Sequence, residues 1–236
     1  MNRISILTEL KECLLKHYDS FNFQILEDQL LIVKHTSGFI FKTSIRCQNF
    51  GFLYLMNPQG ISIKNENLEN NFDSLVFKSL KKLNIGESTL VTTTTNLNIN
   101  NISRDFKIET ENQIGNYCEI IMLWLHSIEE IFFEPMKDVK TIAKYISKYS
   151  YSDNLKVMVG GNFPVQTFKK MFILFIGGQM ERYTEYKLGL EEQLKSLPLR
   201  KPEKSEDAKV YLENFYFIIK EFESGKIILP PTGASF

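Results

Sequence analysis

The chain has 236 residues, with 28 Lys and Arg against 28 Asp and Glu, and 43% of its residues are hydrophobic. This is the composition of a globular protein that buries a sizeable core, in one large domain or two small ones. A formal net charge of zero gives no long-range field toward phosphate backbones or anionic lipids. We therefore expect neither a nucleic-acid nor a membrane partner.

The N-terminus and the cysteines predict where the protein is found. Residues 1–20 carry charges every few positions, which does not fit a signal peptide. The apolar run from Met171 to Ile176 is among the longest and is too short to span a bilayer. Cys13, Cys47 and Cys118 lie far apart and form no C-x-x-C pair, which is typical of reduced, mostly buried thiols. We expect a soluble cytoplasmic protein.

Residues 4–65 predict a helix followed by an antiparallel strand meander. Apolar residues at three- and four-residue spacing place an amphipathic helix over residues 4–18. Alternating apolar residues, closed by short turns, then predict strands over 21–25, 30–34, 39–46, 50–56 and 61–63, with turns at Glu27-Asp28, His35–Gly38 and Asn57–Gly60. Turns this short join neighbouring strands, so the sheet is antiparallel.

Both faces of this predicted sheet carry apolar side chains. An aromatic set forms the expected core face: Phe21, Phe23, Phe39, Phe41, Phe50 and Phe52. The opposite face offers Ile32, Ile40, Leu53 and Leu55. A sheet that is apolar on both sides requires cover on both sides. We expect the second face to be covered by the C-terminal half, a second copy or a protein partner.

The remainder of the chain is predominantly helical in its pattern. Helices are predicted over 68–83, 113–134, 136–149, 164–176, 179–197 and 208–223, and short strands over 88–98, 106–109, 155–159 and 227–229. The helix around Trp124, the only tryptophan, is apolar nearly all round in its middle and should be the central packing element. Pro135 should break or kink that helical stretch, and Gly177-Gly178 should interrupt the helix that follows Pro164.

The fold class predicted from these elements is α+β, an antiparallel β-meander sheet packed on helices and followed by a helix-rich C-terminal half. The polar stretch 149–154 is the best boundary. It would divide the chain into an α+β domain over 1–150 and a mainly helical region over 151–236 that packs closely against it.

One side of the Trp124 helix carries residues that could bind a metal. Glu119, His126 and Glu130 share this side, but helix-bundle metal sites draw a Glu-x-x-His from more than one helix and no second such motif exists. A solvated polar face is the expected explanation, and we predict no metal and no cofactor.

Cys13 and His17 are one helical turn apart, yet no third catalytic member is recognisable.

A glycine turn is the remaining pocket candidate. Gly160, Gly161 and Asn162 precede a helix, and a strand, glycines and a helix N-terminus together can bind an anion. The spacing matches neither a P-loop nor a dinucleotide-binding motif, so a plain strand-to-helix turn is favoured. No hydrolase, zinc-protease, kinase or deaminase motif is present in the sequence.

These observations favour binding over catalysis. The preferred hypothesis is a non-catalytic cytoplasmic protein that binds another protein, such as a bacterial toxin or effector, in the manner of an immunity protein or an effector chaperone. The order of elements in the first 150 residues is similar, at the level of topology alone, to that of secretion-chaperone folds. The alternative is an enzyme or small-molecule binder with a site in the crevice between the two halves.

Overall fold

The computed structural model describes residues 2–77, 86–93, 97, 99 and 106–224. Its helices are α1 (Arg3–Leu15), α2 (Glu66–Phe77), α3 (Asn112–Ile128), α4 (Val139–Ile146), α5 (Val165–Ile176), α6 (Met180–Arg200) and α7 (Ser205–Glu223). Its strands are β1 (Phe21–Leu26), β2 (Gln29–Thr36), β3 (Phe39–Asn49), β4 (Tyr54–Pro58), β5 (Ile61–Asn65), β6 (Leu90–Thr92) and β7 (Phe106–Ile108). The fold is α+β, as predicted.

The chain divides into two compact units, each built from two stretches of sequence. Unit 1 comprises residues 1–63 and 91–135, and unit 2 comprises residues 64–90 and 136–236. The predicted division at residue 150 does not coincide with any of these limits. The stretch around the predicted Pro135 break, by contrast, is where the chain passes from unit 1 to unit 2.

Unit 1 is an antiparallel sheet with α1 and α3 on one face. The strand order is β1-β2-β3-β4-β7, and β5 pairs with β3 and β6. The turn at Glu27-Asp28 has a positive φ at Glu27, and Gly38 supplies a positive φ of 75° in the next turn, so these two predicted hairpins are confirmed. An Asn2 capping box starts α1, and the Tyr18 hydroxyl donates to the Met122 carbonyl at 2.8 Å, which ties the end of α1 to α3.

The core of unit 1 lies between this sheet face and the two helices. Phe41 of β3 stacks on Phe133 with ring centroids 4.2 Å apart. Trp124 is completely buried in the middle of α3. After Ile128 the helix continues as one π-helical turn, Glu129–Phe133, and a short 3-10 turn follows at Pro135. The predicted break at Pro135 is therefore confirmed.

The sheet register corrects the predicted assignment of faces. Ile32 pairs with Phe23 and Thr43 on the buried face and is 1% exposed, so its prediction as a partner-facing residue is wrong. Phe50 and Phe52 were predicted for the core face, but they lie in the β3–β4 connection and are 56% and 82% exposed. The reason is that β3 extends without interruption to Asn49, which leaves the following residues for the turn.

Two of the three cysteines form a disulfide. Cys13 of α1 is bonded to Cys118 of α3, with Cα atoms 6.5 Å apart, because the two helices pack side by side. The expectation of three reduced thiols is wrong. Because Cys13 is in a disulfide, it is not available as a nucleophile that His17 could activate as a base. Cys47 is the free thiol of the chain, and burial raises its pKa to about 11.

Unit 2 is a helical assembly in which α5 is the central element. Helix α5 packs against α4, α6 and α7, and nine of its residues are buried. Gly177 and Gly178 end it, with a positive φ of 74° at Gly178, so the predicted interruption is confirmed. A Cβ at Gly177 would lie 2.2 Å from the Ala143 Cβ, which shows how closely α4 and α5 approach.

Two predicted elements of unit 2 differ from the structure. Residues 155–159 were predicted as a strand, but a 3-10 turn with local backbone hydrogen bonds occupies Asn154–Lys156. Of the predicted strand, only Met158 forms a β-bridge. The loop expected from Pro198 begins later, since α6 includes Pro198 and runs to Arg200. Residues 78–83 of the helix predicted over 68–83, residues 94–96 and 98 of the strand predicted over 88–98, and the strand predicted over 227–229 lie outside the described residues.

Candidate functional site

The polar side of α3 is an exposed surface of unit 1. His126 Nε2 lies 3.3 Å from Glu130 Oε1, and both side chains are 65% exposed. Glu119 is exposed on the same helix. Within the described ranges, no group of three or more His, Cys, Asp or Glu residues is arranged to hold a metal ion. These side chains therefore form a solvated pair and a separate carboxylate.

The glycine turn of unit 2 is a backbone packing contact. The Gly160 amide donates to the Ser88 carbonyl at 2.6 Å. A Cβ on Gly160 would lie 2.8 Å from the Ser88 nitrogen, and one on Gly86 would lie 2.1 Å from the Gly161 nitrogen. Two chain segments thus touch backbone to backbone, which only glycine permits. The glycines are explained by this contact, and Asn162 beside them is exposed.

Unit 2 also contains a buried charge network that sequence reasoning missed. Lys169 Nζ lies 2.6 Å from Glu69 Oε2, and both residues are at most 1% exposed. The other carboxylate oxygen of Glu69 accepts from the Thr89 hydroxyl at 2.8 Å, and that hydroxyl accepts from the Asn65 amide at 2.8 Å. Burial raises the pKa of the Glu69 carboxyl, while Lys169 and Thr89 act in the opposite direction.

This network fixes the start of α2 against α5. The Asn65 side chain caps α2 by accepting from the Leu68 amide at 3.1 Å, so one chain of hydrogen bonds runs from a helix cap to a buried ion pair. Lys169 also lies over the Phe72 ring, 5.5 Å from its centroid. With no exposed surface at either charge, the pair is suited to specifying the packing of α2 on α5 rather than to binding a ligand.

Lys170, the next residue on α5, has a different environment. It is fully buried and donates to the backbone oxygen of Asn154, whose side-chain oxygen is 3.5 Å away. Burial lowers the pKa of Lys170 to about 8. A signal for both lysines was present in the sequence, since α5 is otherwise apolar nearly all round and a helix of that kind is buried on every side.

The chain matches no protein-family model, no curated protein and no solved structure. In the part of the chain that the structure describes, none of the helices combines the length and the apolar character needed to cross a bilayer.

The surface of unit 1 offers apolar side chains at the β3–β4 connection. Phe50 and Phe52 are exposed there, and we call these two residues the aromatic tip. Of the four predicted partner-facing residues, Ile40, Leu53 and Leu55 are half-buried while Ile32 is buried. Ile40 pairs with His35 and Leu55 with Gln48 on the outward side of the sheet.

Proposed function

We propose that this chain is a non-catalytic protein-binding protein and that the aromatic tip is its main contact. The observation that carries the proposal is the 82% exposure of Phe52 beside Phe50, which is 56% exposed. Phenylalanine is enriched at the buried centres of protein interfaces, and its burial in a partner would recover the apolar area that the free protein leaves in water.

The tip is held in a defined conformation, which favours binding over incidental exposure. The Phe50 amide donates to the Leu53 carbonyl at 2.9 Å, and the Gly51 amide donates to the Asn49 side chain at 2.7 Å. Gly51 has a φ of 85°, a conformation natural to glycine. An aromatic pair on an ordered turn loses little conformational entropy on binding.

The expected partner is a protein that presents an apolar pocket for aromatic rings. A bacterial toxin or effector, bound in the manner of an immunity protein or effector chaperone, is the partner class that we propose. A cytoplasmic location belongs to this proposal. The Cys13–Cys118 disulfide is uncommon in that compartment, so alkylation of thiols in the intact source cell is the test of location.

The proposal is tested by quantitative affinity capture from the source cell. Wild type is compared with the double variant Phe50→Ser/Phe52→Ser and with Leu123→Ser, a matched control in unit 1 that removes a side chain 69% exposed on α3. A stoichiometric partner should be lost with the double variant and retained with the control. Recovery that is equal for all three proteins, or no stoichiometric partner at all, would refute the proposal.

The alternative of an enzyme or small-molecule binder remains a prediction. Among the residues that the structure describes, its glycine candidates Gly160 and Gly161 are engaged in backbone packing, and its polar candidates on α3 are solvated. No observation therefore favours this second function.

A further inference from the structure

The outer face of α6 in unit 2 carries a stripe of exposed residues. Leu188, Glu192, Lys195 and Leu199 are all exposed, and the two leucines are 59% and 85% exposed. They line a shallow depression together with Glu191 and Ser196. The opposite face of the helix is buried through Tyr183, Tyr186, Leu190 and Leu194. The stripe therefore points directly away from the core of unit 2.

The residues of this stripe are arranged symmetrically about one point of the helix. About a midpoint between residues 193 and 194, Leu188 and Leu199 are equally distant, and so are Glu192 and Lys195. With a rise of about 1.5 Å per residue, the leucines lie about 8 Å on either side of the midpoint and the two charges about 2 Å. Apolar positions thus mirror apolar positions, and an acid mirrors a base.

We infer that α6 is the interface of a twofold-symmetric dimer with a second copy of this chain. When two α6 helices lie antiparallel with the axis at the midpoint, Leu188 of each copy meets Leu199 of the other. Glu192 of each copy likewise faces Lys195 of the other. A twofold interface requires a surface that is complementary to itself, and this stripe has that property in both charge and hydrophobicity.

The charges around the stripe favour a second copy of this chain over a partner of uniform charge. Lys195 binds Glu191 of its own helix at 2.6 Å, and Glu191 also accepts from the Tyr216 hydroxyl at 2.8 Å. Lys195 remains 59% exposed in its side chain and can meet a second carboxylate. A strongly acidic or basic partner would match only half of the mixed stripe.

Charge reversal at the two central positions provides the test. Wild type should show a concentration-dependent monomer–dimer equilibrium in analytical ultracentrifugation. Glu192→Lys and Lys195→Glu each bring like charges together across the axis, so each should raise the dissociation constant by at least about tenfold. An equimolar mixture of the two variants should restore dimers, because one copy is then basic and the other acidic at every central position.

Glu213→Lys is the matched control, since it makes the same charge change at an exposed position of α7 and should dimerise as wild type does. Circular dichroism is the measurement that checks whether each variant is folded. Restoration by mixing cannot be explained by a loss of helix stability, because mixing leaves the helix stability of each variant unchanged. A wild type that stays monomeric over a hundredfold concentration range, single variants that dimerise like wild type, or a mixture without restoration would each overturn the inference.

Discussion

Replacing Lys170 by Met should stabilise the protein at neutral pH, although it removes a hydrogen bond. The ammonium group is fully buried and lies against Asn154. Burial lowers the pKa of Lys170 from 10.5 to about 8, and each pKa unit corresponds to about 1.4 kcal/mol. Holding the charged form in the fold therefore costs about 3 kcal/mol at pH 7. The lost hydrogen bond offsets about 1–2 kcal/mol of this, which leaves a net gain of about 1–2 kcal/mol.

The pH dependence has a defined sign. Because the pKa of Lys170 is lower in the folded state, the unfolded chain binds more protons between pH 8 and pH 10.5, and stability rises with pH in this window. The cost of the charge falls from about 3 kcal/mol at pH 7 to about 2 kcal/mol at pH 9. The advantage of Lys170→Met should shrink by about 1 kcal/mol over this range. Cys47, whose pKa is raised to about 11, acts in the opposite direction but is common to both proteins.

The assay is urea unfolding of wild type and Lys170→Met at several pH values from 7 to 9. Lys169→Met is a matched control, because the neighbouring lysine is equally buried but is paired with Glu69. Removing Lys169 leaves a buried carboxylate without its cation and should cost about 3–5 kcal/mol. A Lys170→Met protein that is less stable than wild type at pH 7, or whose difference from wild type does not change with pH, would refute the reasoning.

Three further predictions concern the disulfide, the core and the backbone contact. Reduction of Cys13–Cys118, which joins residues 105 apart in the chain, should lower the free energy of unfolding by about 3–5 kcal/mol. Counting free thiols by alkylation and mass spectrometry, before and after addition of a reductant, checks that the bond is present. Trp124→Ala removes a fully buried side chain and should cost about 3–5 kcal/mol, so an unchanged melting temperature would show that α3 does not organise unit 1. Gly86→Ala should lower the urea midpoint more than Gly51→Ala. Both glycines have a positive φ. A Cβ at Gly86 would clash with backbone atoms, whereas a Cβ at Gly51 would have no atom within 4 Å.

Local signals explain the parts of the fold that the sequence predicted correctly. The Glu27-Asp28 turn and the interruption at Gly177-Gly178 depend on turn residues and glycine conformation, which neighbouring residues determine. The helices around Trp124 and over α7 follow from apolar spacing within a single segment. Each of these features requires information from no more than about 20 consecutive residues.

The sheet faces were predicted less well. Side chains alternate between the two faces of a strand, but this alternation alone does not say which face is buried. When both faces contain apolar residues, a shift of one residue exchanges core and surface. Ile32 was placed on the wrong face for this reason, and its partners Phe23 and Thr43 are known only from the register. Phe50 and Phe52 continued an apparent aromatic pattern, yet the end of β3 places them in a turn.

Contacts between distant segments were beyond prediction for a different reason. The disulfide depends on how α1 packs against α3, and the glycine contact depends on residues 86 and 160 meeting. Neither pairing leaves a spacing pattern in the chain.

Lys169 and Lys170 combine one property that the sequence predicts with one that it does not. The apolar character of α5 implies that both lysines are buried, and a buried lysine requires a partner or a lowered pKa. Consecutive helical residues point about 100° apart, so the two side chains must meet different neighbours. Which one meets a carboxylate is decided by Glu69, a hundred residues earlier in the chain. The sequence therefore implies that two lysines are buried, but not what each one contacts. The packing of α2 against α5 pairs Lys169 with Glu69. The packing of the 3-10 turn at Asn154–Lys156 against α5 leaves Lys170 with a lowered pKa.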